Sequence, residues 1–138
     1  FAFAGQYVPT TGIGRMLCGT QPILALAALD AALELWAEVD FAALEAKRMA
    51  LSDFFITLVE ERCPDLILAS PRDSKRRASH VSFRHTDGRQ ILEALRAEGV
   101  IADFRSPDLL RFGLTPLTLG YADIFDAALC LSRVMDTE

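Results

Sequence analysis

Arg111 is the one charge in the apolar run of residues 109–114, Leu-Leu-Arg-Phe-Gly-Leu, which follows the turn residues Ser106, Pro107 and Asp108. A guanidinium in the middle of an apolar strand is costly unless an anion meets it. Its planar fork suits a carboxylate held by two bonds. That anion is either internal, such as Asp103 or Asp108 on the facing strand, or the carboxylate of a bound ligand. Thr20 is the second candidate. In Thr20-Gln21-Pro22 it reads as the N-cap of a strongly apolar helix, with Pro22 in the first turn, where no amide donor is needed. A hydroxyl, free amides and the helix dipole together suit a phosphate, although a threonine there can also do nothing but cap. From the residues alone, nothing says that the two sites share a pocket.

Other chemistries lack their residues. There is no Ser-His-Asp set in a recognisable motif, no Walker A loop and no GxGxxG. His80 and His85 lie five apart on a predicted strand, so they point to opposite faces and cannot share a metal. Cys18, Cys63 and Cys130 form no CxxC pair, and an odd count fits reduced thiols in a cytosolic protein. Cys63 and Cys130 fall in helical patterns, as small core residues would. The chain has two lysines: Lys47 on the outward face of a helix and Lys75 in a loop beside two arginines. Neither has the buried setting that lowers an amine's pKa.

The elements that must position Arg111 and Thr20 can be read in order. Residues 1–19 carry Gly5, Pro9, Gly12, Gly14 and Gly19 among scattered apolar residues and predict an extended, irregular segment lying on another domain or subunit. Residues 23–39 form a helix whose polar residues Asp30, Glu34 and Glu38 make one narrow stripe, so most of its faces should be buried. Asp40 caps a second helix over 41–62, ended by Pro64. Leu44, Leu51, Phe55, Leu58 and Val59 face inward; Glu45, Lys47, Ser52, Asp53, Glu60 and Glu61 face water. A short strand over 65–70, a loop over 71–78 and a strand over 80–85 with Val81 and Phe83 on one face come next. A third helix, capped by Thr86 or Asp87 and stopped by Gly99, turns Ile91, Leu92 and Leu95 inward. Strands over 100–104 and 109–114 precede a last helix over 121–135, which uses Ile124, Phe125, Ala128, Leu129 and Leu131. The order α-α-β-β-α-β-β-α packs naturally as an α/β layer structure. It predicts a mixed, mostly antiparallel sheet of about four strands, covered by helices on one face.

Composition narrows the class further. At 138 residues, 51% apolar and 24% charged, the chain is of single-domain size and globular character. A net charge of -5, with Lys75-Arg76-Arg77 as the main basic patch, argues against a nucleic-acid partner. The longest apolar run, residues 23–29, stops at Asp30 and is too short to span a bilayer. The chain begins at Phe1 without a methionine, and residues 1–5 have no basic n-region, so no signal peptide is read there. A piece of a longer protein is the expectation.

Four segments carry a resemblance that covers nearly the whole chain in order: Leu17-Cys-Gly-Thr-Gln-Pro-Ile-Leu24, Lys75-Arg-Arg-Ala-Ser-His-Val-Ser-Phe83, Gly99-Val-Ile-Ala-Asp-Phe-Arg-Ser-Pro107 and Leu110-Arg-Phe-Gly-Leu-Thr-Pro-Leu117. The sequence resembles the carboxyl-terminal part of the kynureninase family, pyridoxal-phosphate enzymes of the aspartate-aminotransferase fold type. The resemblance implies the C-terminal small domain over residues 22–138, an interdomain segment over 1–21, and an upstream cofactor-binding large domain outside this chain. It implies hydrolysis of the Cβ–Cγ bond of L-kynurenine to anthranilate and L-alanine in tryptophan catabolism, with pyridoxal 5'-phosphate as electron sink. The Arg-Phe-Gly arginine, Arg111, would hold the substrate α-carboxylate. The Gly-Thr-Gln-Pro threonine, Thr20, would reach the cofactor phosphate from the neighbouring subunit of a cytoplasmic homodimer. Ala78 stands where the family commonly has glycine after Arg77. Neither lysine matches the family's cofactor-bearing motif, so no catalytic residue is assigned within the chain, which alone is expected to be inactive. A class V aminotransferase or cysteine desulfurase-like small domain, and a non-catalytic binding module, remain as alternatives.

Overall fold

A computed structural model of the chain describes residues 5–17 and 19–136. The Cys18 thiol therefore lies outside the described residues, as do residues 1–4 of the first segment. The chain forms two compact units, Phe1–Val39 and Asp40–Glu138.

In the first unit, a 3-10 turn at Gly12–Met16 interrupts the segment expected to be irregular. Helix α1 (Ile23–Ala37) follows. Its N-cap is Pro22 rather than Thr20, and no side chain caps it. The Pro22 carbonyl accepts the first helical bond, from the Leu26 N–H at 3.0 Å. A residue before proline is pushed out of the α region, so the helix cannot reach back through Gln21 to Thr20. The apolar faces of α1 also differ from expectation, for none of its residues is buried and Leu24 is 88% exposed.

The second unit holds the sheet. Helix α2 (Phe41–Arg62) starts where Asp40 Oδ1 accepts the N–H groups of Ala42 at 2.9 Å and Ala43 at 3.1 Å. It ends before Pro64. Strand β1 (Ile67–Leu68) is shorter than expected, and strand β2 (His80–Arg84) fills most of its predicted span. Helix α3 (Gly88–Ala97) is capped at the Asp87 position without a side-chain bond. It stops at Gly99, whose φ of +87° permits the left-handed turn that lets Val100 N–H return to the Leu95 carbonyl at 2.9 Å. Strand β3 (Asp103–Arg105) starts three residues later than predicted, because residues 99–100 are spent closing α3. Strand β4 (Leu109–Gly113) follows the Ser106–Pro107 turn. Helix α4 (Tyr121–Met135) opens with the Asp123 carboxylate accepting the Gly120 N–H at 2.7 Å.

The sheet runs β1-β2-β4-β3 with every pair antiparallel. Alternation sends Leu68, Val81, Phe83, Phe104, Leu110 and Phe112 to one face. There the rings of Phe83 and Phe112 meet Phe55 of α2 at centroid separations of 6.1 and 5.1 Å. Leu51, Val59, Ile91, Leu95, Ile124 and Leu131 complete this core. The opposite face carries Ile67, Ser82, Arg84, Asp103, Arg105, Leu109 and Arg111, and most of these keep contact with solvent. The helix-covered, four-stranded α/β layer thus stands as expected, with one face of the sheet left open.

Some inward and outward assignments change. Ser52 is fully buried, because its hydroxyl serves a buried guanidinium, and Leu44 is only half-buried. Phe125 and Leu129 are partly exposed, the former lying under the Arg62 guanidinium at 5.7 Å.

Candidate functional site

Arg111 occupies the centre of β4, opposite Ser82 on β2 and Asp103 on β3. Because 110 and 112 take the core face, residue 111 must take the open one. Its side chain is 35% exposed, so the charge sits at a water-accessible surface rather than inside the apolar layer. Both anions considered from the sequence are placed. Arg111 Nη2 donates to Asp103 Oδ2, whereas Asp108 pairs with Arg84 at 2.7 Å.

The Asp103 carboxylate is shared. Arg105 Nε donates to the same Oδ2 at 3.1 Å, and Arg105 Nη2 lies 3.1 Å from it. The hydrogen bond from Arg111 is the main cause that holds Asp103 below the usual carboxylate pKa. Partial burial opposes it, and the charges of Arg105 and Arg111 add to it. Two guanidiniums against one carboxylate leave this three-residue cluster with one positive charge to spare. Among the described residues Asp103 is the one acceptor for Arg111, so a two-donor edge of the fork remains available to another carboxylate.

Thr20 belongs to the first unit and is exposed. Its neighbour Gln21 turns back, Nε2 donating to the Gly19 carbonyl at 3.1 Å. Among the described residues no side chain caps the first amides of α1, and Thr20 stands two residues before the Pro22 N-cap. Free helical amides, and a hydroxyl in the chain just before them, are donor types suited to phosphate oxygens.

The chain contains a polar cluster that sequence reasoning missed. Arg77, read as part of a basic surface patch, is buried, its side chain only 1% exposed. Nη2 donates to Ser52 Oγ at 2.9 Å and to Asp53 Oδ1, and Nη1 donates to the carbonyls of Pro71 at 2.7 Å and Arg72 at 3.0 Å. Among the described residues its Nε is buried without a partner. Arg48, one turn earlier on α2, donates to the carbonyls of Arg77 at 2.5 Å, Ala78 at 3.3 Å and Ser74 at 3.1 Å, and pairs with Glu45. Together they clip the 71–78 loop to α2. The available signal was the loop's own composition: with no large apolar residue between Pro71 and Ala78, only polar contacts can anchor it.

The remaining titratable groups do no comparable work. Lys47 Nζ donates to the Pro116 carbonyl at 2.7 Å, and Lys75 is exposed. His85 Nδ1 accepts the Asp87 N–H at 3.1 Å. Burial, helped by the Asp136 charge, pushes the Cys63 thiol up to about 11, so it is no nucleophile near neutral pH. Among the described residues no three His, Cys, Asp or Glu side chains could hold a metal, and no helix is long and apolar enough to cross a membrane.

Comparison with known proteins gives this geometry a context. Residues 44–131 match the family model described as the kynureninase C-terminal domain. The kynureninase of Pseudomonas fluorescens is 45% identical over 138 residues, which cover 99% of this chain and 33% of that protein. Kynureninases of Burkholderia mallei (strain SAVP1) and Burkholderia pseudomallei (strain K96243) are each 43% identical over 140 residues, covering 100% of this chain and 34% of theirs. The chain thus spans about a third of the length of the curated relatives it matches. Arg111 lies inside the stretch that the family model matches; Thr20 lies before it, within the stretch aligned to the Burkholderia proteins.

Proposed function

The chain belongs to the kynureninase family as its C-terminal domain, and from that premise we propose that it supplies the substrate-carboxylate contact of a hydrolase acting on L-kynurenine. The observation that carries this reading is Arg111: a half-exposed guanidinium at the centre of the open sheet face, in a cluster with one positive charge to spare. A carboxylate on that face gains two parallel charge-assisted bonds from the fork. The full-length protein would cleave the Cβ–Cγ bond of L-kynurenine to anthranilate and L-alanine, and that of 3-hydroxykynurenine to 3-hydroxyanthranilate and L-alanine. Pyridoxal phosphate, when bound, would supply the electron sink for that cleavage.

The chain's donors fit the two anions such a reaction brings. Arg111 would hold the substrate α-carboxylate and so fix the orientation of the amino-acid end. Thr20 would donate its hydroxyl to the cofactor phosphate, with the uncapped amides of α1 adding their dipoles, from the neighbouring subunit of a homodimer. The reacting amine would come from outside residues 1–138, since Lys47 is engaged with a backbone carbonyl and Lys75 sits in an exposed loop. We assign residues 1–21 to an interdomain segment and 22–138 to the small domain, inactive alone and cytoplasmic in the whole protein. The exposed apolar faces of α1 would then be covered by the rest of the protein, since solvent-facing apolar surface of that extent is rare in a finished molecule.

Steady-state kinetics of the full-length protein carrying Arg111→Lys test the assignment. A point charge cannot replace a bidentate fork, so KM for L-kynurenine should rise by about tenfold or more while kcat falls less. An unchanged KM removes Arg111 from the site.

A further inference from the structure

Arg111 meets the open face of the sheet in company. Asp103 stands directly opposite it in the β3–β4 register and holds it through Nη2. Arg105, next but one along β3, grips the same Oδ2 from Nε at 3.1 Å. A long arginine side chain loses much rotamer freedom when it is fixed, and one that is not already fixed must lose it on meeting its ligand. A lone carboxylate could fix it, but would also cancel the charge that attracts an anion. Here Arg105 compensates Asp103, and the positive charge of Arg111 is kept. A single bond to Nη2 also leaves a two-donor edge of the fork facing outward from the pair.

We propose that Asp103, clamped by Arg105, is a positioning residue: it holds Arg111 on the open sheet face with one edge of its fork presented to the carboxylate of an amino-acid ligand. This rests on the reading of Arg111 as the carboxylate-binding group. Arg105 is the second member of the device, since it fixes Asp103 and balances its charge.

The test is steady-state kinetics on L-kynurenine with the full-length protein, comparing Asp103→Asn with Arg111→Lys. The amide keeps the shape of Asp103 and removes its charge, so KM should rise by about fivefold to tenfold with kcat within about twofold. The melting temperature should barely move, because Asp103 is a surface side chain. A purely structural role would instead lower the melting temperature and leave KM alone, and would overturn the proposal. A lowered KM would overturn it as well, since Asp103 would then compete with the ligand for Arg111. If Arg111→Lys raises KM and Asp103→Asn does not, positioning fails and the carboxylate contact survives. If Arg111→Lys leaves KM unchanged, the contact itself fails and positioning falls with it. Should Asp103→Asn not fold, Arg105→Gln reads the same clamp from its other end: a raised KM supports it and an unchanged one overturns it.

Discussion

A carboxylate flanked by two guanidiniums stays ionised below the ordinary carboxylate range. For Asp103, a surface side chain, the bond from Arg111 lowers the folded-state pKa, so the small stabilisation from the pair is present above the ordinary carboxylate value of about 3.9 and is lost only as pH falls through the lower folded value. Titration of the side-chain carboxyl by NMR should place the Asp103 midpoint below that ordinary value, and Arg111→Gln should move it back up. A midpoint at or above it would contradict the pairing. Arg111 was legible in the sequence because one charge in an apolar run needs a reason. Its partner was not, since choosing Asp103 over Asp108 requires the β3–β4 register, in which 103 faces 111 while Asp108 sits in the turn before 109. Arg77 was hidden for a stronger reason. It stands beside Lys75 and Arg76 in a polar loop, and only the path of that loop across α2 buries it.

At the scale of elements, that loop is held by polar contacts. Arg77→Ala leaves Ser52, Asp53 and two carbonyls without their donor and should cost about 2–4 kcal/mol in chemical denaturation. Arg76→Ala, at the exposed neighbour, should stay within about 0.5 kcal/mol of the parent. Equal effects would show that the burial of Arg77 contributes nothing. Helices α2 and α4 were readable because local signals agree: Asp40 and Pro64 bracket the first, and the apolar spacing of Ile124, Ala128 and Leu131 marks the second. At Thr20 two local signals competed. A threonine before Gln-Pro looks like a cap, but the proline restricts Gln21 and moves the helix start past it to Pro22. Phe125 and Leu129 lie on the edge of the α4 stripe, where periodicity alone does not separate core from surface.

At the scale of the whole molecule, two features bear on the proposal that the chain works within a longer protein: the open sheet face that bears Arg111 and the exposed apolar faces of α1. If the rest of the protein covers α1, Leu29→Asp in the full-length protein should lower the melting temperature by several degrees, as a charge placed in an apolar contact does. No change would mean that α1 stays in water. The resemblance had already placed the chain in its family, while the fold by itself would not have chosen among the enzymes that share such a domain. The most direct measurement is product analysis of the full-length protein given L-kynurenine. Anthranilate and L-alanine released in equal amounts, with release weakened at low substrate by Arg111→Lys, is the expected result. A keto acid or a persulfide formed from some other amino acid, with no anthranilate from kynurenine, would contradict the account.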